Sequence, residues 1–377
     1  MYKELAEELD KRLAVGYPPT ESGVELRLLQ HIFTPEEAKL ALNLSIMSES
    51  LERIHKRVKK TGMTIDELEE MLDNLVSKGA ILGPTVLKSQ AGGEKRYALA
   101  QFIVGMFDLQ AGRLEKAYIK DAHEYIEQIF YSEFCKSDRP HQLRTIPVAK
   151  SVTHKQNVRP YDDIRHLIES SKGPMSIIDC VCKSGKDLLG GSCNVTENHK
   201  TCMQFGSTAE FYIERGLGQQ VSKQKMLQLL EEFEEWGLVL QPTNSQTPNF
   251  ICACCSDCCV TLQSVKRFPR PAEFYNLNYQ AEVDSDSCQA CGRCIDRCQM
   301  EAMSIIDDIA VVDRDRCIGC GLCVSKCSSN AIHLQKTEKE HVPPKTFSKT
   351  LQKIMLKKAG IFGNLKMVAK ITLGKKV

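Results

Sequence analysis

The chain has 377 residues, of which 42% are hydrophobic, 26% are charged and 18 are cysteines. This composition indicates a globular protein of two or three domains and excludes an intrinsically disordered chain. No stretch approaches the roughly 20 consecutive apolar residues of a membrane-spanning helix. The first residues also lack the basic-then-apolar order of a secretory signal, so we expect a cytoplasmic protein.

The formal net charge of +2 conceals a difference between the body of the chain and its end. Residues 341–377 contain nine lysines and no acidic residue, and subtracting these nine charges leaves −7 for residues 1–340. Apolar residues recur between the lysines at helical spacing, which is typical of a basic amphipathic helix. Three partners remain open for this tail: the inner face of a membrane, an acidic redox protein, or the acidic body of the chain itself.

The front of the chain is predicted to be mainly helical. Three helices are predicted. The first begins at Pro35, the second spans residues 51–58 and the third spans residues 64–78. The last of these starts with a capping box of Thr64 and Glu67, in which each side chain satisfies a free backbone amide of the first turn. Two apolar runs after this helix predict a hairpin. The order of three helices and a hairpin resembles a winged-helix unit.

The third predicted helix, residues 64–78, is relevant to nucleic-acid binding, because it occupies the position of the recognition helix in a winged-helix unit. Its charged residues are Asp66, Glu67, Glu69, Glu70, Asp73 and Lys78. Affinity for DNA depends on basic residues that displace counterions from phosphates. We therefore do not expect nucleic acid to be a partner, although a redox-responsive regulator that uses this domain remains an alternative.

The order of motifs predicts a multidomain α+β protein with mainly helical front and middle regions. In the middle, helices are predicted over residues 161–170 and 223–236, with two short strands near residues 240 and 250. The predicted division is a winged-helix-like domain 1–130, a connector 131–150, a cysteine-rich middle domain 151–262, a linker 263–282, a small cysteine-rich domain 283–336 and a basic tail 337–377.

Eight cysteines form one spacing pattern that occurs twice. The pattern C-x2-C-x2-C-x3-C begins at Cys288 and again at Cys317. The repeat includes a glycine after the second cysteine of each motif, Gly292 and Gly321, whose missing Cβ is expected to leave room for a cluster. A pair of zinc sites would not explain the third and fourth cysteines of each motif. The duplication therefore predicts two equivalent iron–sulfur half-sites.

This pattern resembles the two-cluster, bacterial-type ferredoxin domain, and the whole chain is similar to iron–sulfur proteins of anaerobic microbes. The resemblance implies a βαββαβ fold, two [4Fe-4S] clusters and crossed ligation, in which the fourth cysteine of each motif serves the other cluster. The ligands it implies are Cys288, Cys291, Cys294 and Cys327 for one cluster, and Cys317, Cys320, Cys323 and Cys298 for the other. The proline that usually follows each fourth cysteine is replaced here by Gln299 and Ser328.

Nine further cysteines lie upstream in two groups, which we predict to bind metal. They are Cys180, Cys182, Cys193, Cys202, Cys252, Cys254, Cys255, Cys258 and Cys259. The first four suit a structural zinc site. The other five lie within eight residues, which is awkward for one mononuclear ion because adjacent side chains diverge. One or two additional iron–sulfur clusters are therefore favoured over zinc, and the two groups could interleave in the fold.

These features predict an iron–sulfur protein that carries single electrons to or from a partner oxidoreductase rather than a stand-alone enzyme. No catalytic residue is identified, and no glycine-rich nucleotide-binding motif occurs. A second alternative is an oxidoreductase whose upstream cluster binds substrate at an iron with a non-cysteine ligand.

Overall fold

The computed structural model describes residues 1–87, 94–134, 140–152, 158–372 and 376. It divides the chain into two compact units, which we call the N-terminal unit (Met1–Arg139 and Leu351–Val377) and the cysteine-rich unit (Pro140–Thr350). The middle, linker and ferredoxin-like regions that the sequence predicts as separate segments therefore belong to one unit.

The N-terminal unit combines helices with a small sheet. Its first helices are α1 (Tyr2–Arg12), α2 (Val24–Ile32), α3 (Pro35–Ala41), α4 (Leu51–Val58), α5 (Ile65–Ser77), α6 (Pro84–Leu87) and α7 (Lys116–Phe134). Its strands are β1 (Glu49–Ser50), β2 (Ile81–Leu82) and β3 (Arg96–Leu99), which pair antiparallel in the order β1-β3-β2.

Capping boxes determine where two of these helices begin. The side chains of Thr34 and Thr64 accept hydrogen bonds from the amides of Glu37 and Glu67, and each glutamate accepts one in return from the threonine amide. The three helices predicted from the sequence are therefore confirmed. The predicted hairpin is present as β2 paired with β3, with α6 between them. Residues 88–93, also within this hairpin, lie outside the described residues.

The first part of the cysteine-rich unit contains a five-stranded antiparallel sheet flanked by helices. Its strands are β4 (Met175–Asp179), β5 (Lys200–Phe205), β6 (Gly218–Gln220), β7 (Val239–Pro242) and β8 (Phe250–Cys254), in the order β6-β4-β5-β8-β7. Its helices are α8 (Ile164–Ser170), α9 (Val181–Leu188), α10 (Ser207–Glu214), α11 (Lys223–Trp236) and α12 (Val260–Lys266).

The prediction that this middle region is mainly helical is confirmed only in part, because it missed strands β4, β5 and β6. Four consecutive residues of β4 are buried, so the strand lacks the alternation of apolar and polar residues that identifies a half-buried strand. The helix over residues 223–236 and the strands near residues 240 and 250 are confirmed.

The end of the cysteine-rich unit has the order βαββαβ that the ferredoxin resemblance implies. Its elements are β9 (Tyr279–Val283), α13 (Arg293–Arg297), β10 (Met303–Ile306), β11 (Ile309–Val312), α14 (Leu322–Ser325) and β12 (Ile332–Lys336). Strand β9 pairs antiparallel with β12, and β10 pairs with β11. Because β9 begins at Tyr279 and the side chains of Phe274 and Tyr275 are buried, residues 263–282 are a packed part of this unit rather than a free linker.

Residues 143–148 extend along the edge of the five-stranded sheet. Isolated bridges join Leu143 to Thr243 and Ile146 to Leu240. Arg144, in the same segment, has a buried guanidinium that contacts the Asp162 carboxylate at 2.5 Å. The segment is thereby anchored to the sheet by its backbone and to the loop before α8 by an ion pair.

The tail forms α15 (Phe347–Thr372), which is interrupted at Gly360. The Lys358 ammonium donates to the carbonyls of Asp10 and Leu13 at the end of α1, and Lys376 donates to the carbonyl of Leu42, which caps α3. Cations are stabilised at these positions because the helix dipole is negative at the carboxyl end. Two lysines of the tail therefore bind the body of the chain itself.

Among the helices that the structure describes, none combines the length and the apolar character that crossing a membrane requires.

Candidate metal centres

Residues of the second cysteine motif line a cavity. Four cysteines line it: Cys298, Cys317, Cys320 and Cys323. Three come from the second motif and one is the fourth cysteine of the first motif. This is one of the two groups of ligands that the ferredoxin resemblance implies.

A second cavity is lined by the remaining cysteines of the two motifs. They are Cys288, Cys291, Cys294 and Cys327. Here the fourth cysteine of the second motif joins three cysteines of the first. We call this cavity the outer cavity, because Cys291 is exposed, and the one around Cys317 the inner cavity.

Backbone amides donate to the sulfur atoms around both cavities. The amide nitrogens of Ala281 and Ala302 lie 3.4 Å from Cys317 Sγ and 3.2 Å from Cys298 Sγ, and the amide of Ala310 lies 3.3 Å from Cys288 Sγ. Such bonds stabilise the thiolate form that binds iron. Thiols grouped in fours around a cavity, with amides directed at their sulfurs, fit a [4Fe-4S] cluster.

The backbone repeats its conformation between the two motifs. Positive φ values occur at three pairs of equivalent positions: Ala290 and Gly319, Gly292 and Gly321, and Glu301 and Asn330. A Cβ at position 321 would lie 2.1 Å from the Ser151 hydroxyl, whereas one at position 292 would meet no protein atom within 4 Å. Position 321 therefore requires glycine because Ser151 packs against it. The sequence did not reveal this contact.

Replacement of Gly319 by alanine is expected to destabilise the cysteine-rich unit. A Cβ there would lie 2.1 Å from the Tyr279 carbonyl oxygen, and the residue has a φ of +68°. We expect the free energy of unfolding to fall by at least ~2 kcal/mol, the upper end of the left-handed penalty alone. Guanidinium unfolding, followed through the cluster absorbance, measures this change.

The matched control is Ala290→Gly at the equivalent position of the first motif, where alanine already adopts a φ of +51°. Glycine relieves that strain, so the free energy of unfolding should not fall. A Gly319→Ala protein as stable as the wild type would contradict the importance of the Tyr279 contact.

The segment of residues 143–148 binds the backbone of the second motif beside the inner cavity. The Thr145 hydroxyl donates to the carbonyl of Ile318 at 2.5 Å, and the amide of Val148 donates to the carbonyl of Cys320 at 2.9 Å. Burial raises the pKa of the Cys320 thiol to about 12. Deprotonation of this thiol therefore requires a compensating positive charge, which iron supplies when a cluster binds.

Six of the nine upstream cysteines form a continuous chain of contacts, which we call the six-thiol group. In order of contact its members are Cys180, Cys182, Cys259, Cys254, Cys252 and Cys202. Cys202 on β5 is directly opposite Cys252 on β8, and their sulfurs lie 3.5 Å apart. Hydrogen bonds from Cys182 and Cys254 lower the pKa of Cys259 well below its usual value.

A buried lysine lies beside these thiols. The Lys183 side chain is almost fully enclosed, and its Nζ donates to the Thr201 hydroxyl at 3.0 Å. A hydrogen bond from Cys182 and, after it, the charge of Lys183 lower the pKa of Cys180. A buried ammonium beside thiolates offsets their negative charge, and its own burial is tolerable because of this partnership.

The other three upstream cysteines form a separate group with an aspartate. The ligand atoms of Cys193, Cys255, Asp257 and Cys258 all lie within 4.8 Å of one another. The two upstream groups of the sequence therefore interleave, since Cys193 separates from Cys180, Cys182 and Cys202. Sequence reasoning missed Asp257, although its position between two cysteines of the run was a usable signal.

Gln299 connects the upstream cysteines to the ferredoxin-like part. Its Oε1 accepts hydrogen bonds from the amide and the hydroxyl of Ser256, at 2.8 and 2.9 Å, and its Nε2 donates to the carbonyl of Gly237 at 3.0 Å. Gln299 follows Cys298, which lines the inner cavity. Gln299, which replaces the usual proline, thus holds the turn between Cys255 and Cys258 next to that cavity through hydrogen bonds.

A buried tyrosine makes a second connection. The Tyr275 hydroxyl donates to Gln241 Oε1 at 2.7 Å, and Gln241 Nε2 donates to Cys259 Sγ at 3.6 Å. Burial, and then the charges of Cys259, Cys254 and Cys320, raise the pKa of Tyr275. Tyr275 is therefore within electrostatic range of both the six-thiol group and the inner cavity.

Comparison with known proteins gives one match. Residues 310–333, which include Cys317, Cys320, Cys323 and Cys327, match the family model of the 4Fe-4S binding domain. No curated protein matches the chain, and no solved structure does. Residues 310–333 therefore belong to an iron–sulfur domain of the ferredoxin type.

Proposed function

We propose that this protein is an electron carrier that holds two [4Fe-4S] clusters, with further metal at its upstream cysteines, and that it serves a partner oxidoreductase. The observation that carries the proposal is the grouping of eight cysteines around two cavities, each with three thiols from one motif and one from the other. When bound, such clusters supply reversible one-electron chemistry. The match at residues 310–333 supports this role.

The spacing of the thiols favours clusters over single metal ions in these two cavities. A tetrahedral zinc ion with Zn–S bonds of about 2.3 Å holds its sulfurs about 3.8 Å apart. Within the described part of the chain, the cysteines around the two cavities do not form a group of three or more donors that all lie within 4.8 Å of one another. Their sulfurs instead surround a space that a polynuclear cluster fills.

The unequal exposure of the two cavities suggests a direction for electron transfer through the carrier. The exposed Cys291 makes the outer cavity the place where a redox partner can approach closely. Residues 143–148 bind the backbone that lines the inner cavity, and Gln299 and Tyr275 connect its surroundings to the upstream cysteines. In our proposal the outer cavity faces the partner and the inner cavity faces the interior of the protein.

The six-thiol group supports an additional polynuclear centre. Six thiols exceed the four ligands of a tetrahedral ion, and the buried Lys183 offsets the negative charge that several thiolates bring. The amides of α12 follow Cys259 directly, and backbone hydrogen bonds from Thr261 and Leu262 contribute to the low pKa of that thiol.

The N-terminal unit is proposed to bind the partner protein. Helices α3 to α5 and the sheet of β1, β2 and β3 are similar to a winged-helix module, which often mediates protein contacts. The first turn of α5 carries Asp66 and Glu67, which disfavours DNA. Lys358 and Lys376 contact the unit itself, which favours a docked tail over one that binds a membrane.

The proposal is tested by reductive titration of protein purified without oxygen. We expect at least about eight irons and eight acid-labile sulfides per chain, and reduction by at least about two electrons from a low-potential donor, one for each cluster. Protein stripped of iron with a chelator is the control and should accept none of these electrons. Zinc in place of iron at the two cavities, with no electrons accepted, would overturn the proposal.

A further inference from the structure

We propose that Cys193, Cys255, Asp257 and Cys258 bind one zinc ion, separate from any iron–sulfur centre. The inference deepens the proposed function, because it rests on the assignment of the upstream cysteines to metal, and it removes three of the nine from the iron–sulfur ligands. It also adds a carboxylate, that of Asp257, to the metal ligands of the chain.

The distances within this group are those of a single tetrahedral ion. Bonds of about 2.3 Å to sulfur and about 2.0 Å to oxygen give tetrahedral edges of about 3.8 Å between two sulfurs and about 3.5 Å between sulfur and oxygen. The sulfurs of Cys193 and Cys255 lie 3.7 Å apart, and Cys258 Sγ lies 3.5 Å from Asp257 Oδ2. The four donors therefore surround room for one ion and not for a cubane cluster.

The carboxylate is held in place by other residues. Lys186 Nζ lies 2.7 Å from Asp257 Oδ1, and Asn194 donates its backbone amide to Oδ2 at 2.7 Å and its side-chain amide to Oδ1 at 3.0 Å. Outer contacts of this kind orient a metal ligand and keep it ionised. Three thiolates and one oriented carboxylate are a donor set that zinc accepts, since it binds sulfur and oxygen ligands in tetrahedral sites.

The ion would join two segments that are far apart in the sequence. Cys193 lies in the loop between α9 and β5, where the structure shows no regular secondary structure over residues 190–199, whereas the other three ligands lie in the turn before α12. Closing such a loop by coordination bonds stabilises the folded chain. The inferred role of the zinc is to hold the loop of residues 190–199 against the turn before α12, to which Gln299 also binds.

The first test measures zinc, iron and sulfide in full-length protein purified without oxygen. We expect about one zinc per chain, as one tetrahedral site binds one ion. The variant Cys193→Ala should lose at least nine-tenths of this zinc and keep its iron. The matched control, Cys288→Ala, should keep its zinc and lose iron. If the two cavities held zinc instead of iron, the proposed function would fail, but Cys193→Ala should still lose one zinc per chain relative to the wild type.

The second test uses cobalt in place of zinc, and its first measurement needs only the wild-type protein. Wild-type protein reconstituted with Co²⁺ should show thiolate-to-cobalt charge transfer and the visible bands of a tetrahedral ion, and Asp257→Asn should shift those bands. Zinc absent from wild-type protein that has its full iron content would overturn the proposal. So would zinc retained in Cys193→Ala, or a cobalt spectrum that Asp257→Asn leaves unchanged.

Discussion

A double variant that lacks Cys298 and Cys317 is expected to lose one cluster and retain the other intact, with a loss of about four irons and four sulfides per chain. Both cysteines line the inner cavity, although they belong to different motifs. The outer cavity keeps all four of its cysteines. Iron analysis and electron paramagnetic resonance of the reduced protein should therefore show one unaltered [4Fe-4S] centre.

The matched variant lacks Cys294 and Cys298, two cysteines of the same motif that line different cavities. It leaves no cavity with four cysteines, so the resonance signals of both centres should change. If each motif instead bound its own cluster, the two double variants would exchange results. The comparison thus tests crossed ligation directly, with the same number of cysteines removed in each protein.

The largest expected effect on stability comes from Arg144→Ala. The side chains of Arg144 and Asp162 are each only 2% exposed, and Arg144 also donates to the carbonyl of Tyr161. Removing one partner leaves a buried carboxylate with Asn278 as its remaining side-chain donor. We expect the free energy of unfolding to fall by about 3–5 kcal/mol, measured by guanidinium unfolding.

The control for this prediction is Arg159→Ala, which removes an ion pair to Glu340 whose side chains are 55% and 45% exposed. Solvent screens that pair, so its loss should lower the free energy of unfolding far less than the loss of Arg144 does. Equal effects of the two substitutions would contradict the importance of burial at Arg144. Because residues 143–148 donate hydrogen bonds to the carbonyls of Ile318 and Cys320, Arg144→Ala should also make the cluster of the inner cavity easier to remove with a chelator.

The features that could be predicted from the sequence are those that a short segment determines. The capping boxes at Thr34 and Thr64 begin helices through contacts within four residues, and both helices are present. The spacing of the repeated motif indicates the ferredoxin-type domain because the family pattern itself is local. Helix α11 ends at Gly237, which adopts the left-handed conformation that glycine favours.

The features that could not be predicted depend on contacts between distant segments. The sequence predicts a linker where the structure has strand β9. The partner strand β12 lies about fifty residues later, and no local pattern predicts that pairing. The six-thiol group forms because Cys202 and Cys252 face each other across two strands, one of which the sequence did not reveal. Cys193 and Asp257 meet through the same long-range folding.

The difference between the outer and inner cavities has a consequence for oxidative damage. Oxidation of cysteine follows the accessibility of its thiolate, and Cys291 is exposed while Cys317 is buried. Air should therefore attack the outer centre first and leave the inner one intact for longer. A four-cysteine motif that occurs twice is thus expected to show two different tolerances to oxygen, set by the protein that surrounds each centre.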